Sequence, residues 1–119
     1  MSESIPPNLK ILIGNSYVNA CYGELGNRLD YTEAFVTHMS IAANILQDRI
    51  VIDLTKIARQ HLHNARDLSH NEEDRPKAVE ELSSVLISLG RFVFMKNYGT
   101  VDTRSFNPAA IPKTTETPK

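Results

Sequence analysis

The stretch DLSHNEEDRPKAVEELSSVLISLGRFV, residues 67 to 93, decides the fold class. Its opening is acidic and turn-forming, and Arg75-Pro76 closes it. Proline has a fixed φ and no N–H to donate, which suits the first turn of a helix, and Glu80 and Glu81 then sit near the helix's positive end. Beyond Pro76, Val79, Leu82, Leu86, Leu89 and Val93 recur at steps of three and four, the period of an α-helix with one buried face. A helix is therefore predicted from near Asp74 to near Tyr98, with Lys96 at its carboxyl end and Gly99 as a left-handed cap.

This helix is more apolar than one core stripe requires. Ile87 and Phe94 fall roughly 100° from the stripe, while Val85 and Phe92 flank it on the opposite side. Ser83, Ser84, Ser88 and Gly90 lower helix propensity but admit a close neighbour, so a groove forms readily there. Three occupants of the extra flank stay open: an earlier helix of the same chain, a second copy, or a partner protein. If the flank is open, the partner-binding residues are Ser84, Ile87, Ser88, Arg91, Phe92 and Phe94, with branched and aromatic anchors of the kind that dominate interfaces.

Working towards the amino terminus, the periodicity stays helical. Ile50, Leu54, Ile57, Ala58, Leu62, Ala65 and Leu68 make one coherent face of a helix that starts after Gln47 or Asp48. An earlier helix is expected from Asn15 or Ser16, either able to cap it, through Tyr17, Cys21, Leu25 and Leu29 to Leu46, with a bend or break near Gly23 and Gly26. KILIG, residues 10 to 14, reads as a docked arm or first helical turn, since a lone strand has nothing to pair with. Pro6-Pro7 marks a loose start, and the prolines and threonines after residue 100 mark a tail in which only Phe106 and Ile111 could dock. The expectation is an all-α, antiparallel three-helix bundle over residues 15–99, with a flexible arm over 1–14 and a disordered tail over 100–119.

Composition narrows the function. The chain has 119 residues, 41% hydrophobic and 23% charged, the profile of one ordinary globular domain. A net charge of −1 argues against a nucleic-acid-binding surface. Cys21 is the only cysteine, which rules out an intrachain disulfide and any multi-cysteine metal site and suits the cytoplasm. No signal peptide or membrane-spanning run is read.

No catalytic constellation is found. His61 and His63 point about 200° apart on their helix and cannot share a metal, so His61, on the apolar face, is expected to be a buried, hydrogen-bonded structural histidine. His38 and His70 lack ligand-type neighbours, and the carboxylates of residues 71 to 74 belong to a turn. Ser83 and Ser84 have no adjacent base and no nucleophile elbow. Arg49, Lys56, Arg59 and Arg66, with His63, form a polar stripe that is either a solvated face compensated by Asp53 and Asp67 or an alternative anion-binding site for a nucleotide held by a homo-oligomer. Neither a metal nor a cofactor is implied, and the chain is expected not to be an enzyme.

The segment Leu82, Leu86, Ile87, Ser88, Leu89, Gly90, Phe92 and Val93 resembles the signature region of the small flagellar regulator family FlaF, in which Ile-Ser-Leu precedes an aromatic residue and a Val. Asp67-Leu68, Asn71, Ser16-Tyr17, Arg28 and Ala34-Phe35 fall at similar spacings. The chain departs from that family's pattern by having no Trp and by reading Arg75-Pro76 before its last predicted helix. The resemblance implies a helical, cytoplasmic, non-enzymatic regulator that acts through contact with flagellin, a chaperone-like protein in flagellum biogenesis.

Overall fold

The structure, a computed structural model, describes residues 4–100. It holds four helices: α1 (Pro7–Ala20), α2 (Leu25–Leu46), α3 (Arg49–Ser69) and α4 (Arg75–Met95), with a single 3-10 turn at Glu72–Asp74. No strand occurs among the described residues. Of the expected tail, residues from 101 on, Phe106 and Ile111 included, lie outside the described part.

The three-helix expectation is corrected to four, and the cause is local. Where a single helix with a bend or break was expected, the chain breaks, turning at Cys21–Glu24 with Gly23 at φ 90, a conformation that residues with a Cβ adopt at a cost. The first helix also starts eight residues earlier than Asn15. Pro7 occupies its first turn, where the missing N–H has no partner to lose, so Pro6-Pro7 starts this helix instead of preventing it. Asn15 and Ser16 therefore cap nothing. Ser16 lies inside α1 and its hydroxyl donates back to the Leu12 carbonyl at 2.7 Å. Nor is the arm wholly loose: Ile5 is buried against the main core.

The other boundaries follow from backbone chemistry. Gln47 takes the left-handed conformation at φ 57 to end α2, and Asp48 caps α3 by accepting the Val51 N–H at 3.4 Å. At the end of α4 the left-handed residue is Asn97, φ 58, not the expected Gly99. Its turn returns the Tyr98 N–H to the Phe92 carbonyl at 3.4 Å. Gly99 serves packing instead: a Cβ there would come within 2.9 Å of Ile13 and of Val93.

Each helix packs chiefly on its sequence neighbour, α1 on α2, α2 on α3 and α3 on α4, and α4 returns more lightly to α1 and α2. Long-range bonds show the antiparallel order. Arg66 near the end of α3 reaches Asp30 and Glu33 near the start of α2, and Lys96 beyond α4 reaches Asp48 at the start of α3. The Thr100 N–H donates to the Lys10 carbonyl at 3.0 Å, closing the end of the described chain onto α1. One apolar cluster centres on Phe35, Met39, Val51, Val85, Leu89 and Tyr98, and a second on Leu29, Leu62, Ala65, Ala78 and Leu82.

Candidate functional site

The predicted excess of apolar surface on the last helix is divided by the fold. Leu82, Val85, Leu86, Leu89, Phe92 and Val93 of α4 are buried, whereas Ile87 is 74% and Phe94 65% exposed. Phe92 is thereby corrected: at 8% exposure it is a core residue and cannot be an open anchor. Its ring is covered on the outside by the Arg91 guanidinium at 5.1 Å and the Lys96 ammonium at 5.3 Å. Ser84 and Arg91 are exposed, and Ser88 is half-buried with its hydroxyl donating to the Val85 carbonyl at 3.2 Å.

The first helix does not cover the open flank; it borders it. Gly90 is where α1 meets α4: a Cβ built there would lie 2.5 Å from Cε1 of Tyr17. With only hydrogen at that position, the Tyr17 ring seats over the α4 backbone. It stands 5.3 Å from the Phe35 ring and edge-on to Phe94 at 6.0 Å. Phe94 is thus held from one side while the rest of its surface faces solvent. Beside it, Tyr17, Cys21, Arg28, Ser83, Leu86 and Ile87 line an open indentation of about 250 Å³. Arg28 is fixed there because its Nε donates to the Ala20 carbonyl, 3.0 Å, at the end of α1. The periodicity of α4 exposed Ile87 and Phe94 to view, but Tyr17, Cys21 and Arg28 were missed as its neighbours. The one signal was Gly90, a small residue at a mid-helix position.

The indentation has no activated nucleophile. Burial pushes the Cys21 thiol up despite the opposing charge of Arg28, and burial, then Cys21, pushes the Tyr17 hydroxyl up as well. No group of three His, Cys, Asp or Glu among the described residues could hold a metal ion. His61 is not buried as expected: its side chain is 38% exposed, and its Nδ1 lies 2.7 Å from the Glu81 carboxylate of α4. His63 lies 3.5 Å from Asp67 on the same face of α3. His38 is half-buried with no partner for its Nδ1 among the described residues, and burial holds its pKa below the ordinary value.

The alternative anion stripe is broken up. Arg66 is bound to two carboxylates of α2, Asp30 at 3.2 Å and Glu33 closer still, so it is already neutralised. Arg49, Lys56 and Arg59 are exposed and have no carboxylate at ion-pair distance among the described residues. Asp53 does not compensate Arg49 as its i,i+4 spacing suggested.

A polar cluster invisible in the sequence joins the start of α3 to the residues that follow α4. Asp48 Oδ2 accepts from Tyr98 Oη at 2.9 Å and from Lys96 Nζ at 3.1 Å. Burial pushes the Asp48 carboxyl up, but the bonds from Lys96, Tyr98 and Val51 and the Lys96 charge outweigh it and hold it below the usual carboxylate range. Burial and Asp48 together push the Tyr98 hydroxyl far up, so it stays a donor. No described helix is long and apolar enough to cross a membrane. No family model, curated protein or solved structure matches the chain.

Proposed function

We propose that this chain is a non-enzymatic helical adaptor that receives an amphipathic helix of a partner protein along the open flank of α4. The observation that carries this reading is the pair Ile87 and Phe94, one heptad apart and largely exposed, beside an indentation that Tyr17, Leu86 and Ser83 keep shallow and mostly apolar. A helix laid there meets side chains at the seven-residue repeat that a partner's own apolar stripe presents. Desolvating one branched and one aromatic side chain in that geometry supplies the anchoring energy. Arg28 and Arg91 at the margins favour a partner with a carboxylate beside its apolar face.

The sharpest form of the reading is flagellin as partner, in a FlaF-like regulator of the cytoplasm. It rests on the resemblance of Leu82–Val93 to that family's signature, whose Ile87 is the most exposed residue of the segment that is apolar and large. The nucleotide alternative is weaker because Arg66 is neutralised within the fold.

The test is affinity capture from lysate of the native cell, with the recovered proteins identified by mass spectrometry. The expected outcome is flagellin recovered by the unaltered chain and lost with Ile87→Asp, while the variant keeps its helical circular dichroism. Equal recovery by Ile87→Asp overturns the site, and recovery of a different protein that is lost with Ile87→Asp retains the site and overturns flagellin.

A further inference from the structure

The exposed face of α4 carries opposite charges, Glu80 and Arg91, on either side of the exposed Ile87. Lys77, Glu80, Ser84, Ile87, Arg91 and Phe94 follow one another at steps of three, four, three, four and three, and every one of them is exposed. That spacing lines one face of the helix, about 26 Å long at 1.5 Å per residue, on which Ile87 and Phe94 are apolar and the other four positions polar or charged.

We infer that α4 pairs with α4 of a second copy, antiparallel, about a two-fold axis that crosses the helices between residues 85 and 86. In this register Glu80 faces Arg91 of the other copy, Ser84 faces Ile87, and Lys77 faces Phe94, each pair occurring twice by symmetry. Opposite charges meet, the large aliphatic side chain enters the space left by a serine, and an ammonium lies over an aromatic ring. Glu80 and Arg91 make no ion pair within the chain among the described residues, and at eleven positions apart on one helix they cannot. Among the described residues Lys77 pairs with Asp74, at 3.8 Å. Phe94 is held in place by Tyr17.

The alternatives are penalised. A parallel pair sets Glu80 against Glu80 and Arg91 against Arg91. Moving the antiparallel pair by one heptad in either direction takes both charges away from each other. A single helix pair is a small contact by the standard of permanent dimers, so this association is reversible. Taken with the proposed function, on which this last step rests, the second copy occupies the flank that the partner helix needs, so dimerisation keeps Ile87 and Phe94 covered until a partner displaces it.

Sedimentation velocity over a concentration series at low salt tests the pairing. The unaltered chain is expected to show a monomer–dimer equilibrium, and Glu80→Arg and Arg91→Glu, each setting like charges face to face, are each expected to weaken it by about tenfold or more. An equimolar mixture of the two variants is expected to recover the dimer, because each chain then offers the charge that the other lacks. That recovery also shows that both variants are folded. An unaltered chain that stays monomeric at millimolar concentration, single variants as dimeric as the parent, or a mixture that does not recover each overturn the pairing. The two readings fail separately, since capture of a partner is decided by Ile87→Asp and the dimer by the charge exchange.

Discussion

Asp48 shows how much one side chain can hold. It caps α3, accepts the hydroxyl of Tyr98 and binds the ammonium of Lys96, and these last two residues lie fifty and forty-eight positions away. Asp48→Ala removes all three bonds and leaves the hydroxyl of a fully buried tyrosine without an acceptor, a loss of about 2–3 kcal/mol. Tyr98→Phe removes one bond and leaves Asp48 with Lys96, so it is expected to cost about 1 kcal/mol. Denaturant unfolding of both variants checks the order. The same measurement against pH checks the ionisation. Because the folded pKa of Asp48 lies below its ordinary value of 3.8, its contribution is fully present above that value and is lost as the pH falls through the folded one. The Asp48→Ala variant is expected to show a shallower loss of stability in that acid window. None of this was legible in the sequence, which marked Asp48 only as one of two residues after which a helix starts, because hydrogen-bond partners so distant along the chain are set by the packing of whole helices.

At the scale of elements, Gly23 and Gly90 illustrate two different uses of the same residue. Gly23 supplies a backbone conformation and divides α1 from α2; Gly90 supplies space and lets α1 rest on α4. The sequence marked both positions. It left open whether Gly23 bends or breaks the helix, since that depends on α1 finding a place against α2, and it could not say which ring Gly90 receives. Gly90→Ala separates propensity from packing. Alanine favours the helix by about 1 kcal/mol, but its methyl group must displace a Tyr17 ring already in contact with Phe35 and Phe94, at about 1–3 kcal/mol. A net loss of stability is expected in thermal or denaturant unfolding, and a gain would show that the ring moves freely. The early start of α1 has a similar explanation. Pro6-Pro7 is ambiguous by itself, and the helix that it opens buries Ile13 and Ser16.

For the whole molecule, the question is which apolar residues belong to the core and which to a surface. Phe35 is fully buried where α1 and α2 meet the main cluster, so Phe35→Ala is expected to cost about 3–5 kcal/mol. Ile87→Ala, at a site 74% exposed, is expected to change stability by less than about 0.5 kcal/mol. Unfolding of the two variants side by side distinguishes a core position from a surface one of similar hydrophobicity. The sequence by itself determined that the described residues are helical, that α3 and α4 exist nearly where they are, and that Ile87 and Phe94 lie off the core stripe. These are consequences of period, capping and residue type within one turn or two. Only the tertiary structure decided that there are four helices, that Phe92 is inside and Phe94 outside, that Arg66 is spent on Asp30 and Glu33, and that Tyr17 borders the open flank. A helix's own periodicity fixes the angle between two of its residues, but which angle faces solvent depends on where the neighbouring helices stand, and that is settled by contacts between segments far apart in the chain.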